Sequence, residues 1–351
     1  NETPTLAELP IQYADFAAWQ RQVLQGENLE KQLGYWRDTL TGSPPLLELP
    51  TDFPRPRVQS FNGDTLGRML PKELSEAVKA FSRQEGVTLF MTLLSAFSTL
   101  LYRYSNQNDF NIGTPIANRN RMETENLIGF FVNNLVLRCR FDEDPTFLEY
   151  LQAVRQSALQ GFAHQDIPFE MLVEELHPDR DLSHSPLFQV VFVMQNTPMG
   201  GLELPDLTIE PVDAETKVAK FDLSLEAAET PDGLYFQLEY NTDLYLPETA
   251  ERLLYHLELL LKNALSEPEQ QVSDIEFIPD GEEQLILRDW NDSDVEFDEQ
   301  HCAHEIVELF AQSQPEAVAA TFGDASLTYR ELNAKANQLA RYLRQQYVGL
   351  D

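Results

Sequence analysis

Histidines are the side chains from which catalytic chemistry is most readily expected here, because imidazole exchanges protons near neutral pH. The chain has His164, His177, His184, His256, His301 and His304, and no two of them are adjacent. Ser183 lies between Asp181 and His184, but sequence neighbours rarely form a catalytic triad, and no GxSxG turn is present. Neither a P-loop nor a GxGxxG segment occurs. No single segment therefore predicts a complete catalytic site.

The charge and cysteine content narrow the class of protein. The 351 residues include 25 basic and 58 acidic side chains, a formal net charge of −33, which argues against nucleic acid and against anionic membrane surfaces as partners. Cys139 and Cys302 have no CxxC neighbour, so we predict no metal site and favour a reducing cytoplasm, with one disulfide between them left open. No run of 18 apolar residues and no signal peptide is recognisable.

The elements that must position any site alternate between helices and strands. Apolar spacing predicts one helix over 11–40, a Pro-rich extended connector, and two helices that begin at Pro71 and Thr88. Leu187–Met194 is nearly all apolar, as in a strand buried on both faces. Further strands are predicted at 64–70, 110–114, 131–141, 207–212, 221–227 and 234–240, and further helices at 145–162, at 168–176 and from Pro247. This order indicates an α/β layered sandwich through about residue 264, then an irregular acidic stretch over 265–300.

Six segments resemble motifs of the condensation domains of non-ribosomal peptide synthetases, and they occur in that family's order. Asn134, Ile167, His184 and Ser185 are departures from the family's usual residues. The segments are Tyr13–Trp19 (YADFAAW), Ile128–Asn134 (IGFFVNN), His164–Glu170 (HQDIPFE), Arg180–Leu187 (RDLSHSPL), Phe188–Asn196 (FQVVFVMQN) and Lys220–Leu223 (KFDL).

A second resemblance begins near residue 301. Leu327–Leu332 (LTYREL) is similar to the first motif of adenylation domains, which commonly follow condensation domains. Together the resemblances imply a chloramphenicol-acetyltransferase-like α/β lobe, the C-terminal lobe of a condensation domain, over 1–285. A linker over 286–300 and the partial α/β start of an adenylation domain over 301–351 are expected to follow.

The family joins two acyl groups held as thioesters on the phosphopantetheine arms of carrier proteins. Its HHxxxDG motif precedes the YADFAAW segment in the family and is not found in this sequence. We therefore expect the chain to be a piece of a synthetase, inactive alone, with no cofactor or metal of its own. The expected partners are carrier-protein domains loaded with amino acids or peptides, the N-terminal condensation lobe and the adjacent adenylation domain.

The resemblance also assigns roles to individual residues. Arg119 stands where the family pairs an arginine with the aspartate of HHxxxDG, as an Arg–carboxylate fork would allow. Asn133 and Asn134 lie on a strand near the substrate tunnel, and Asn196, which ends the buried strand, could donate an amide hydrogen bond to the reaction centre.

Other motif residues are expected to be structural. His164 or Asp166 would satisfy free N–H groups before Pro168. Asp15 and Trp19 share a helical face with a packing role, as Tyr13 does in the same motif. Arg180 and Asp181 belong to the RDLSHSPL motif.

Two other interpretations stay open. The chain could be a non-catalytic lobe that docks carrier proteins, or another CoA- or carrier-dependent acyltransferase of the same fold. The adenylation-like tail argues against the second of these.

Overall fold

The structure is a computed structural model that describes residues 8–176, 181–195, 217–293 and 301–346. The chain divides into two units, Asn1–Asp280 and Gly281–Asp351. The strand predicted at 207–212 lies outside the described residues.

The described strands of the first unit form one mixed sheet with the order β1-β6-β5-β4-β2-β3. β4 runs parallel to both β2 and β5, and the other neighbours are antiparallel. This arrangement confirms the predicted α/β fold class. The strands are β1 Gly63–Met69, β2 Asp109–Ile116, β3 Asn133–Arg140, β4 Val190–Gln195, β5 Leu223–Thr230 and β6 Gly233–Asn241.

Helices pack against this sheet and supply about half of the buried apolar residues, the rest coming from strands and loops. They are α1 Tyr13–Val23, α2 Gly26–Leu40, α3 Lys72–Gln84, α4 Leu89–Ser105, α5 Met122–Glu125, α6 Phe147–Ala163, α7 Phe169–Leu176 and α8 Pro247–Ser266. Among the described helices none is by itself long and apolar enough to cross a membrane, and only α3 with α4 meets that criterion as a pair bent by 111°.

Helix α4 is the central helix that its apolar sequence predicts. Thr88 caps it by accepting a hydrogen bond from the Met91 N–H at 3.3 Å, and every residue from Met91 to Leu101 is buried. Its buried hydroxyls donate to carbonyls one turn earlier, for example Ser95 to Met91 at 2.8 Å. These bonds satisfy polar groups that would otherwise be costly in an apolar core.

The predicted single helix over 11–40 is wrong. It is broken between Val23 and Gly26, where Gly26 adopts φ +56°. Glycine reaches this left-handed conformation without the steric cost that other residues incur. The apolar pattern continues across the break, so it gave no sign of the change in direction.

Residues 44–59, which we call the strap, form the extended Pro-rich connector that the sequence predicts. The side-chain amide of Gln189 bonds the strap twice, to the Pro45 carbonyl and the Leu47 N–H, both at 3.0 Å. Gln107 does the same with the Leu46 carbonyl and the Glu48 N–H. Backbone groups that would pair in a sheet are thus satisfied by two glutamines.

The second unit has the helix–strand–helix order expected from its sequence, with a two-stranded hairpin as its strand layer. The region predicted to be irregular contains α9, Asp280–Leu287. The Thr328 hydroxyl accepts from the Glu331 N–H at 3.2 Å, and the Thr328 N–H donates to Glu331 at 2.9 Å. The LTYREL segment therefore begins a helix through a capping box. The remaining elements are α10 Ala303–Ser313, β7 Val318–Phe322, β8 Ala325–Thr328 and α11 Tyr329–Gln345.

Candidate functional site

One edge of the sheet gathers most of the residues predicted to serve a reaction. Asn133 and Asn134 begin β3 opposite Ile116 and Pro115, which end β2, and Arg119 follows three residues later. Because β4 runs parallel to β2, its last residue, Gln195, ends at the same edge. Asn196, the next residue, lies outside the described residues, as does Arg180.

Residues 128–132 approach this edge and are exposed except for Phe131. Phe131 is buried, whereas Ile128 and Phe130 are 95% and 76% exposed and Val132 is also exposed. An exposed apolar row of this kind is characteristic of a surface that meets another molecule or domain.

Helix α1 holds this segment through its aromatic residues. The Tyr13 hydroxyl donates to the Phe130 carbonyl at 2.9 Å, and the Tyr13 and Phe16 rings lie 5.2 and 4.8 Å from the Phe131 ring. Asp15 accepts a hydrogen bond from the Gln12 N–H at 2.8 Å, which places its carboxylate at the helix start. The aromatic residues of the first motif thus pack, whereas Asp15 caps the start of α1, a role that its spacing did not predict.

Arg119 lies over the Phe131 ring, with its guanidinium carbon 4.2 Å from the ring centre. The same guanidinium donates to the carbonyls of Thr124 and Glu125 at the end of α5. Its partners in the described part of the chain are backbone carbonyls and an aromatic face, and the carboxylate that the resemblance implies belongs to a motif not found in this sequence. The stacking still fixes the direction in which the cation points.

Both the nitrogen and the oxygen of the Asn133 side-chain amide are hydrogen-bonded to backbone groups of the protein. Its nitrogen donates to the carbonyls of Gln165 and Ile167 at 3.1 and 2.7 Å, and its oxygen accepts from the Phe169 N–H at 2.9 Å. No donor remains for a substrate, so Asn133 positions the 165–169 loop. Asn133 thereby supplies the acceptor for the Phe169 N–H at the start of α7, a partner that was not predicted from the sequence.

His164 is held from several sides at the end of α6. Its Nδ1 lies 2.9 Å from the Gln160 carbonyl, and its ring stacks on Tyr35 at 4.1 Å. Its own carbonyl accepts from the Trp36 indole N–H at 2.9 Å. These contacts indicate a structural histidine. Asp166 is exposed at the adjoining cleft.

That cleft, of about 490 Å³, lies between α1, the end of α6 and residues 118–124. Trp19 and Phe16 form its aromatic wall at 5.8 Å from each other. The Arg121 guanidinium stacks on Trp19 at 4.2 Å. The cleft therefore combines aromatic faces with a positive charge.

A second cavity, of about 540 Å³, which we call the aromatic groove, lies at the same sheet edge as Asn134. Asn134 and Lys220 supply its polar side chains together with Ser185. The aromatic residues that line it are Phe61, Phe169, Phe188 and Phe221.

Asp181, Ser183 and His184 do not form a catalytic triad. Hydrogen bonds from the Ser183 side chain and N–H, the latter at 2.7 Å, hold the pKa of Asp181 below its usual value. His184 turns its Nδ1 to the Ser185 carbonyl at 3.0 Å. Ser183 is thus bonded to the carboxylate and not to the imidazole, which removes the base that a nucleophile needs.

A buried ion pair near the groove was not anticipated from the sequence. Arg55 of the strap binds both carboxylate oxygens of Asp222, Oδ1 at 2.9 Å, and the Asp222 side chain is only 4% exposed. Burial alone lowers the pKa of Arg55, but the hydrogen bonds and charge of Asp222 outweigh it and raise the pKa. The KFDL motif pointed to Asp222, but nothing in the sequence indicated its partner.

In the described part of the chain no cluster of three His, Cys, Asp or Glu side chains could hold a metal ion. The side chains placed at this edge are amides, an arginine and aromatic rings. Such groups orient and bind a substrate.

A family profile described as "Condensation domain" matches residues 1–287. Two different subunits of linear gramicidin synthase from Brevibacillus parabrevis are similar to the chain, one at 47% identity over 351 residues and the other at 51% identity over 350 residues. Malpinin synthetase of Mortierella alpina is 45% identical over 351 residues. These alignments cover 99–100% of the chain but only 7%, 4% and 4% of the three relatives, respectively.

Solved structures resemble the chain as well. Holo-AB3403, a four-domain nonribosomal peptide synthetase bound to AMP and glycine, superposes with a TM-score of 0.70 at 27% identity over 96% of this chain and 26% of that one. The X-domain from teicoplanin biosynthesis, in complex with OxyB, superposes with a TM-score of 0.71 at 28% identity over 79% of this chain and 63% of that one.

Proposed function

The chain belongs to the condensation-domain family of non-ribosomal peptide synthetases, and from this premise we propose that its parent protein forms amide bonds between carrier-bound aminoacyl or peptidyl thioesters. The amine nitrogen of one substrate attacks the thioester carbonyl of the other. The C–N bond forms, the C–S bond breaks, and the proton lost by the amine goes to the departing thiolate.

The observation that supports this role is the convergence of Arg119, Asn134 and the end of β4 at one edge of the sheet. Preorganised amide and guanidinium groups stabilise a developing oxyanion best when rigid elements hold them. Here Asn134 lies on a paired strand and Arg119 is stacked on Phe131. The edge provides groups that orient substrate, whereas a general base would have to come from elsewhere.

We therefore propose that this chain alone does not condense substrates. The described histidines near the edge, His164 and His184, are bonded to backbone carbonyls. General acid–base assistance contributes a factor of ~10²–10⁴, so its loss alone would suppress turnover strongly. Arg119 would then await the carboxylate of the HHxxxDG motif, supplied by the other lobe.

Amide formation between two loaded carrier proteins, followed by mass spectrometry, tests both statements. The parent module should form the amide and the isolated chain should not. Arg119→Ala in the module should lower kcat by about tenfold or more, whereas Arg121→Ala, which removes the guanidinium of the neighbouring cleft, should have a smaller effect on kcat. A module with loaded carriers and no amide product would refute the function, and turnover by the chain alone at the module's rate would refute its inactivity.

We also propose that residues 301–351 begin an adenylation domain and that the substrates reach the site on phosphopantetheine arms in the cytoplasm. Support for the first statement comes from the four-domain synthetase, which is similar over 96% of the chain, whereas the X-domain is similar over 79%. The capping box at Thr328 shows that the LTYREL segment starts a helix.

A docking lobe without catalysis is the second candidate. It is favoured by the exposed row of Ile128, Phe130 and Val132 and by the solved complex of an X-domain of similar fold with OxyB. Carrier binding without amide formation by the parent module would select this alternative.

A further inference from the structure

The aromatic groove has the size and composition of a ligand subsite. Its volume of about 540 Å³ lies within the ~300–1,000 Å³ common for small-molecule sites, which are mostly apolar with few polar groups. The groove contains no carboxylate among the described residues that line it.

The floor of the groove is rigid. Phe188 is 1% exposed and contacts the rings of Phe169 and Phe221, each at 5.4 Å. Gly113 lies directly beneath it, where a Cβ atom would stand 2.2 Å from the Phe188 ring. Because the floor is close-packed, a ligand would meet a preformed apolar surface.

The rim of the groove is held in an unfavourable backbone conformation. Phe61 has φ +64°, a region that bulky residues other than glycine rarely occupy. Its carbonyl accepts from the Ala219 N–H at 3.0 Å, yet its ring is 48% exposed. Strain that is retained in order to display an apolar ring is typical of binding surfaces.

Two polar side chains of the groove are available to a ligand. Neither the Asn134 amide nor the Lys220 ammonium has a hydrogen-bond or ion-pair partner within the described part of the chain. The Lys220 N–H bonds Glu239, whose carboxylate partly offsets the ammonium charge. An uncharged apolar side chain, on a ligand with an acceptor or donor for Asn134, fits this arrangement, whereas a cationic side chain would be repelled by Lys220 and would find no carboxylate on the lining.

We propose that the aromatic groove is a side-chain subsite that selects aminoacyl groups with uncharged, apolar side chains, with Phe61 as a specificity-determining residue and Asn134 as the contact to the acyl amide or amine. This inference rests on the proposed function, since it names the substrate class of the same site. The side chain of a leucyl or phenylalanyl group would lie between Phe61 and Phe188.

Binding of stable analogues to the complete chain tests the proposal without requiring turnover. The probes are leucine and lysine, each joined by an amide to aminopantetheine, and pantetheine alone, with dissociation constants from calorimetry. The leucyl probe should bind about tenfold or more tightly than the lysyl probe and than pantetheine.

The variant Phe61→Asn removes the aromatic ring without disturbing the fold. Asparagine tolerates a positive φ, so the backbone keeps its conformation at this position. It should keep the melting temperature and weaken leucyl binding by about tenfold. Phe53→Asn is the matched control, since Phe53 is 42% exposed on the strap and does not line the groove. It should leave leucyl binding unchanged.

Equal affinities for the leucyl and lysyl probes would overturn the proposal, as would leucyl binding that Phe61→Asn leaves intact. Affinity for pantetheine equal to that of the leucyl probe would also overturn it, because the arm would then occupy the groove. Each of these results can occur while the parent module still forms amides, so they are distinguishable from failure of the proposed function.

Discussion

The ring of Tyr13 lies directly against Gly129, where a Cβ atom would stand 2.3 Å from the ring. Glycine is therefore required for α1 to approach the 128–132 segment this closely. The contact holds in place the turn on which Phe131 and, through it, Arg119 depend.

Replacing Gly129 by alanine should consequently destabilise the first unit by about 1–3 kcal/mol, as overpacking does. Urea denaturation measures the change. Gly34→Ala is the control, because its Cβ meets nothing within 4 Å and alanine favours the helix. The cost of Gly129→Ala should shrink in a Tyr13→Ala background, and equal costs in both backgrounds would contradict the clash.

Removing the Asn133 side chain should lower the free energy of unfolding, because three backbone groups lose their hydrogen-bond partner. Asn133→Ala leaves the carbonyls of Gln165 and Ile167 and the Phe169 N–H without their partner, a loss of about 2–3 kcal/mol. Hydrogen exchange at Phe169 should accelerate as well. Asn134→Ala, one residue along β3, should stay within about 0.5 kcal/mol of the parent chain. Similar losses at both positions would contradict the difference in role.

Replacing only one partner of the Arg55–Asp222 ion pair should lower the free energy of unfolding substantially. Asp222→Leu leaves a partly buried guanidinium without its acid, for a loss of about 3–5 kcal/mol. Adding Arg55→Met should recover part of this loss, because no uncompensated charge then remains. Glu175→Gln breaks the more exposed pair with Arg37 and should change little. A double variant as unstable as the sum of the single variants would rule out coupling.

The two thiols should differ sharply in reactivity. Burial raises the pKa of Cys139 to about 12 from 9.0, whereas Cys302 is exposed. At pH 8 a thiol reagent should label one cysteine rapidly, and Cys302→Ser should abolish this fast phase. Rapid labelling of Cys139 in folded protein would contradict its burial.

The same pKa shift predicts a loss of stability in alkali. The unfolded state releases the Cys139 proton from about pH 9.0 upward, while the folded state keeps it to about 12. The stabilising contribution is therefore complete below pH 9.0 and falls as pH rises through this window. Cys139→Ala should show a shallower decline between pH 9 and 11 in denaturation midpoints.

Local rules predicted most elements of the first unit. Gly86, with φ +64°, follows α3 as a C-terminal glycine should, and Thr88 caps α4 as expected. The break at Gly26 was missed because the apolar pattern of the two helices is nearly continuous. Periodicity reports which face is buried and is insensitive to a change in helix direction.

The candidate site was predicted less completely. The resemblance assigned Arg119, Asn133 and Asn134 supporting roles at one site, but it did not show that the Asn133 amide bonds the 165–169 loop. Arg55 and Asp222 are separated by 167 positions, so no local pattern links them. Only the three-dimensional structure shows that the strap brings Arg55 to Asp222, the residue before β5.

The contacts of the strap also indicate which residues a chimera of two related synthetases must take from the same parent. Arg55 and Gln59 reach Asp222 and the Lys220 carbonyl, and Gln107 and Gln189 grip residues 45–48. A chimera whose crossover falls between the strap and β5 would inherit these partners from different parents. Compatible exchanges should therefore transfer residues 44–59, Gln107 and residues 181–223 together from one parent.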